Sequence, residues 1–192
     1  MSPVIFEFIG TTFSVIFCAI AIKLADDFLD QEIDTNYNFA KDIGKGTMIY
    51  SMLFMACAVC LNVSVSTSLF FASYIIGMFH DLKQQFPSHL SGMQESILVF
   101  IIGTFFWGWK AMVFSVLFIL SIQLFDDYID VHIDQLSGHR NWAHRLGNVE
   151  CFLLFVVSIL ASWWVGEQMF PPVFWGTVIF YGTVWCYQRG RA

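Results

Sequence analysis

Long apolar runs separated by short polar breaks fill nearly the whole chain. A helix needs about 20 residues, with a range of about 17–25, to cross the hydrocarbon core of a bilayer. The runs are close to this length, so the pattern predicts an all-α, multi-pass membrane bundle. It predicts seven spans, near residues 4–30, 47–65, 67–82, 93–109, 111–131, 148–166 and 170–188.

The apolar stretch 93–131 is long enough for one helix or for two helices that turn near Gly108. The distribution of basic residues favours two. A single span would place Arg140 and Arg145 on the opposite side from Lys41 and Lys45, against the tendency of Lys and Arg to stay in cytoplasmic loops. With seven spans and an outside N-terminus, the following basic residues are all expected on the cytoplasmic side: Lys41, Lys45, Lys83, Arg140, Arg145, Arg189 and Arg191.

Composition supports an integral membrane protein. Hydrophobic residues make up 57% of the chain and charged residues only 12%, whereas soluble domains are about 45–50% apolar and about 25% charged. The net charge of −6 argues against a nucleic-acid partner. Nine of the fifteen acidic residues fall in two short segments: Asp26, Asp27, Asp30, Glu32 and Asp34, then Asp126, Asp127, Asp130 and Asp134.

These two segments belong to an internal repeat. The pattern I-x-L-x-D-D-x-x-D-x-x-I-D begins at Ile22 and again at Ile122, and the blocks 38–44 and 141–147 follow with matching residues. We therefore predict one membrane domain, residues 1–192. It comprises two three-helix repeats, 1–83 and 110–192, joined by a linker helix at 93–109. A single linker helix makes the repeats parallel, so both acidic motifs are expected on the cytoplasmic face.

Each acidic motif continues the C-terminal end of a predicted membrane helix. Asp26, Asp30 and Asp34 are four residues apart, which places their carboxylates on one side of a helix. Anions repel each other there, and the helix C-terminus disfavours each by about 0.3–1 kcal/mol, so a cation is expected unless the helix end simply faces water. Carboxylates suit Mg²⁺, which shares its coordination shell with substrate phosphates. Two facing carboxylate stripes therefore predict a clamp for several Mg²⁺ ions that hold a diphosphate.

Basic residues in the predicted cytoplasmic loops complete a diphosphate site. Arg binds phosphate oxygens through two parallel hydrogen bonds and Lys acts as a point charge, although such loops also carry Lys and Arg for topology alone. The predicted diphosphate-binding residues are Lys83, Arg140, Arg145, Lys41, Lys45, Asp26 and Asp126.

The acidic motifs resemble those of the UbiA superfamily of intramembrane prenyltransferases. Residues 26–34 resemble its first motif, NDxxDxxxD, with Asp26 in place of Asn, and residues 127–134 resemble its second motif. The segment 80–83, His-Asp-Leu-Lys, is more loosely similar to the family's YxxxLK loop. The resemblance implies that both motifs bind Mg²⁺ and an isoprenyl diphosphate, and that the prenyl group passes to an aromatic or lipid acceptor. The catalytic Mg²⁺ ligands that it implies are Asp27, Asp30, Asp34, Asp127, Asp130 and Asp134.

Other functions remain open at this point. The form D-D-x-x-D also resembles soluble prenyl synthases and class I terpene cyclases, which favours cyclisation without an acceptor as the main alternative. The predicted three-plus-one-plus-three layout is shared with SWEET-type sugar transporters, but transporter sites lie near the bilayer midplane and the acids here lie at helix ends. A third alternative is a non-catalytic membrane subunit, which would tolerate substitution of every motif Asp by Ala.

Overall fold

A computed structural model describes residues 3–31, 38–78, 82–131 and 141–189. Over these ranges the chain is helical, and one isolated bridge between Gln85 and Ser91 is the nearest approach to a strand. The helices are α1 (Pro3–Leu29), α2 (Phe39–Ile43), α3 (Thr47–Leu61), α4 (Val63–Gly77), α5 (Gly92–Trp107), α6 (Trp109–Ile129), α7 (Trp142–Leu146), α8 (Asn148–Val165) and α9 (Phe170–Arg189), with a 3-10 turn at Gly44–Gly46.

The all-helical prediction is confirmed for the described residues, and several helices suit a membrane. Among these residues, four segments are long and apolar enough to cross a bilayer: Val4–Leu29, Phe39–Leu61, Trp109–Ile129 and Asn148–Val165. Helices α4 and α5 are apolar but shorter. A helix overlaps each of the seven predicted positions, and length and composition identify four segments as candidate spans.

The predicted turn inside the stretch 93–131 is confirmed. Gly108 separates α5 from α6 and has a φ of +84°, a conformation that favours glycine. A Cβ atom built on Gly103 would overlap Sδ of Met112. In a straight helix these two residues would be about 13 Å apart along the axis, so the chain reverses direction at Gly108.

One compact unit comprises residues 1–70 and 168–192. Helix α1 packs against the antiparallel α3, where Ser14 Oγ donates to the Ala58 carbonyl at 2.8 Å and Ser51 Oγ donates to the Ala21 carbonyl at 2.7 Å. Small residues and hydroxyls of this kind let helices approach closely in lipid. Helix α9 packs on α1 as well, since a Cβ on Gly176 would lie only 2.9 Å from the carbonyl oxygen of Thr12.

The second compact unit comprises residues 71–167. Here α6 packs against the antiparallel α8: Cys151 Sγ donates to the Leu124 carbonyl at 3.3 Å, and a Cβ atom built on Gly166 would overlap the Phe114 ring. The units divide the chain differently from the predicted repeats. The reason lies in the first unit, where α9, the last helix of the second predicted repeat, packs on α1.

Candidate functional site

Asp27 lies near the C-terminal end of α1, and its side chain is only 1% exposed. Its Oδ2 atom accepts a hydrogen bond from the backbone N–H of Phe39 at 2.8 Å. Its Oδ1 atom lies 2.9 Å from Nζ of Lys23, one helical turn earlier. Both carboxylate oxygens therefore have protein partners.

Asn38 completes this arrangement. Its Nδ2 donates to the backbone carbonyl of Asp27 at 2.8 Å, while its Oδ1 accepts from the N–H of Ala40 at 2.8 Å and so caps α2. Asn is among the best residues for capping a helix N-terminus. Asp27 and Asn38 together fasten the start of α2 to the end of α1, and we refer to this pair with its three hydrogen bonds as the first clasp.

The same arrangement occurs at the end of α6, and we call it the second clasp. Oδ2 of Asp127 accepts from the N–H of Trp142 at 2.9 Å, and Nδ2 of Asn141 donates to the Asp127 carbonyl at 2.8 Å. Oδ1 of Asn141 accepts from the N–H of Ala143 at 2.7 Å. The sequence repeat thus has a matching local structure at both helix ends, hydrogen bond for hydrogen bond.

The two clasps differ at one position. The residue four before the buried aspartate is Lys23 in α1 and Gln123 in α6. Nε2 of Gln123 donates to Oδ1 of Asp127 at 3.0 Å, where Lys23 forms an ion pair with Asp27. A neutral amide therefore takes the place of a cation at the equivalent position of the second clasp.

The remaining described acids of the motifs are accessible. Asp26, Asp30 and Asp126 are exposed and Asp130 is partly exposed. The N–H groups of Asp30 and Asp130 donate to the carbonyls of Asp26 and Asp126 at 3.0 and 2.9 Å, so the last helical turn includes both members of each pair. Two predicted metal ligands, Asp34 and Asp134, and the acidic residue Glu32 lie outside the described residues.

Accessible carboxylates suit Mg²⁺ chemically, since this ion is usually held by one or two carboxylates together with substrate phosphates. In the described ranges, no group of three or more His, Cys, Asp or Glu side chains is placed to hold a metal ion. Within these ranges, the accessible carboxylates at each helix end are two, Asp26 with Asp30 and Asp126 with Asp130.

The predicted phosphate-binding cations lie close in sequence to these helix ends. Lys41 is exposed on α2, and Lys45 is exposed in the 3-10 turn that follows. Arg145 is exposed on α7, with its guanidinium 5.5 Å from the centre of the Trp142 ring. Arg140 lies outside the described residues.

Lys83 is exposed in the turn 82–91, which is fixed by its own hydrogen bonds. The N–H of Met93 donates to the Leu82 carbonyl at 3.1 Å. The hydroxyls of Tyr74 and Ser88 both donate to the carboxylate of Glu95, which ties the turn to α4 and α5. The sequence analysis did not identify this role of Glu95.

Sequence reasoning also missed Asn38 and Asn141 as partners of the buried aspartates. The sequence does contain a signal for them: Asn38 and Asn141 occupy equivalent positions in the two repeats, three residues before the aligned positions 41 and 144. The Lys23 and Gln123 difference was visible in the same alignment of the two copies. What the sequence did not reveal is that these residues converge on one carboxylate.

The chain matches no protein-family model, no curated protein and no solved structure at a significant level. The resemblance to the intramembrane prenyltransferases therefore rests on the two acidic motifs and the weaker Lys83 segment.

Proposed function

We propose that the protein is a Mg²⁺-dependent intramembrane prenyltransferase. The observation that carries this proposal is a pair of accessible carboxylates, one helical turn apart, that flanks the buried aspartate of each clasp at the end of two apolar helices. A helix C-terminus disfavours anions, so a duplicated cluster of this kind is understandable if it binds a cation. The apolar surface of the helices suits a lipid substrate held in the bilayer.

The proposed reaction is substitution at an allylic carbon. The C–O bond of an isoprenyl diphosphate breaks and its electron pair leaves with the diphosphate, a new bond forms between the allylic carbon and the acceptor, and the acceptor releases a proton. When bound, Mg²⁺ neutralises charge on the leaving diphosphate. The proposal assigns its binding to the motif carboxylates other than Asp27 and Asp127, including Asp34 and Asp134.

The basic residues have a separate role in this proposal. Lys41, Lys45, Lys83, Arg140 and Arg145 stabilise the negative charge that develops on the diphosphate as the C–O bond breaks. The active face is cytoplasmic, consistent with the positive-inside rule. The 22 Phe and 7 Trp residues supply apolar surface that excludes water and aromatic faces that stabilise a cationic prenyl group.

A direct test uses the full-length protein purified in detergent. It is incubated with isoprenyl diphosphates of increasing length, with and without Mg²⁺, and with aromatic and lipid-alcohol acceptors, and products are identified by mass spectrometry. Turnover is expected only with Mg²⁺, and it should be lost in Asp30→Ala and in Asp130→Ala. Glu167→Ala is the matched control. Glu167 is exposed and follows the C-terminal end of α8, whereas α7 precedes the N-terminal end of that helix.

The same experiment separates the alternatives. Unchanged turnover in both aspartate variants would reject the proposed role of the motifs. A hydrocarbon or terpene alcohol formed without acceptor would instead support cyclisation. Flux of a small solute into proteoliposomes that depends on Asp30 would support transport.

A further inference from the structure

We propose that Asp27 and Asp127 are positioning residues, which hold the first residues of α2 and α7 on the ends of α1 and α6 and do not coordinate metal. This role differs from the metal ligation predicted from sequence. Only the assignment of Mg²⁺ to the other motif carboxylates rests on the proposed function. The positioning role itself stands on the hydrogen bonds of the two clasps.

Burial and hydrogen bonding distinguish Asp27 and Asp127 from their neighbours. Their side chains are 1% and 5% exposed, whereas Asp26 and Asp126 next to them are exposed. Mg²⁺ keeps several waters when it binds to proteins and shares its shell with phosphates, so it requires accessible oxygens. The carboxylates of Asp27 and Asp127 are instead occupied by a backbone N–H on one oxygen and a side chain on the other.

The helices that the clasps hold are too short to be stable alone. Helices α2 and α7 have five residues each, far below the roughly 12–15 residues at which isolated helices become marginally stable. Their position therefore depends on contacts at their ends. Because α2 carries Lys41 and α7 carries Arg145, each clasp also sets the position of a predicted diphosphate-binding cation.

The difference between Lys23 and Gln123 provides a specific test. Substitution of aspartate by asparagine leaves one oxygen, which can still accept from the N–H of residue 39 or 142, and adds an NH₂ group in place of the other oxygen. At position 127, the side chain of Gln123 can rotate and accept a hydrogen bond from that NH₂. At position 27, Lys23 has only donors, so the NH₂ would face an ammonium group.

Asp127→Asn should therefore preserve its clasp, whereas Asp27→Asn should weaken the first clasp. Adding Lys23→Gln to Asp27→Asn gives the first clasp the same side chains as the Asp127→Asn variant of the second clasp, and it should restore the first clasp. All of these substitutions nearly conserve side-chain size. The comparison consequently does not depend on whether alanine variants fold.

The first readout is hydrogen–deuterium exchange of the full-length protein in detergent, resolved to the backbone amides of Phe39 and Trp142. Asp27→Asn should speed exchange at Phe39 by about tenfold, as expected for the loss of one buried hydrogen bond. The double variant Lys23→Gln, Asp27→Asn should return it to within about threefold of wild type. Asp127→Asn should change exchange at Trp142 by less than about threefold, and Asp127→Ala should raise it by about tenfold.

Absence of rescue by Lys23→Gln, or unchanged exchange at Trp142 in a folded Asp127→Ala protein, would overturn the positioning role.

The second readout is the Mg²⁺ concentration required for half-maximal turnover. Asp130→Asn should raise this requirement more than tenfold and Asp127→Asn by less than threefold. A tenfold rise in Asp127→Asn with normal exchange at Trp142 would identify Asp127 as a metal ligand and overturn the proposal. If the wild-type protein shows no turnover but the exchange results hold, the proposed function fails and the positioning role stands.

Discussion

Helix α9 packs on α1 through Gly176, and this contact leads to a quantitative prediction. A Cβ atom at residue 176 would lie 2.9 Å from the carbonyl oxygen of Thr12 and 2.9 Å from Cβ of Val15. The oxygen belongs to the backbone of α1, so it cannot move away without displacing that helix. Gly182, in the same helix, has nothing within 4 Å of the equivalent position and is a matched control.

The expected magnitude follows from two opposing effects. Replacing Gly by Ala inside a helix stabilises it by about 0.5–1 kcal/mol. Forcing an additional methyl group into a packed contact costs about 1–3 kcal/mol. Gly182→Ala should show only the first effect and Gly176→Ala both, so the two variants should differ in unfolding free energy by about 1–3 kcal/mol, with Gly176→Ala the less stable.

The measurement is reversible unfolding of the purified protein in mixed micelles, followed by circular dichroism for the wild type and both variants. The difference between the two glycine variants is the informative quantity, because the helix-propensity gain is common to both and cancels. If Gly176→Ala is as stable as Gly182→Ala, the close contact between α9 and α1 is incorrect.

Three further predictions concern other contacts. Gly108→Ala should destabilise the protein by about 1–3 kcal/mol in the same assay, because its backbone conformation is strained for any side chain; an unchanged unfolding curve would contradict this. Ser51→Ala should cost about 1 kcal/mol through loss of its buried hydrogen bond, and a neutral result would show that this bond adds nothing between α1 and α3. Glu95→Ala should speed tryptic cleavage after Lys83 by releasing the turn 82–91; equal cleavage rates in the variant and wild type would refute that role.

Helix positions could be predicted from sequence because membrane helices need long apolar runs. The break at Gly108 was predicted from the distribution of basic residues. The end of α3 was predicted at residue 65, four residues beyond its observed end at Leu61. Asn62 explains the error: its side chain accepts from the N–H of Val65 at 3.1 Å and donates to Thr11 of α1 at 2.9 Å, so a single polar residue ends one helix and begins another.

The candidate site was predicted in part. Sequence comparison located both acidic motifs because they recur at a fixed spacing of 100 residues. It could not distinguish between adjacent aspartates, since Asp26 and Asp27 have the same chemistry and both belong to the motif. Nor could it identify Asn38 as the partner of Asp27, because the two residues are brought together only when the chain returns to the end of α1.

The amino-acid sequence by itself determined an all-helical, apolar chain with a duplicated acidic helix end, since these properties depend on composition and local periodicity. The tertiary structure decided which of the duplicated carboxylates are buried. Successive residues of a helix point about 100° apart, so Asp27 faces the start of α2 while Asp26 remains exposed. The same rotation separates Asp127 from Asp126, so one carboxylate of each pair is buried against the next helix and the other is exposed.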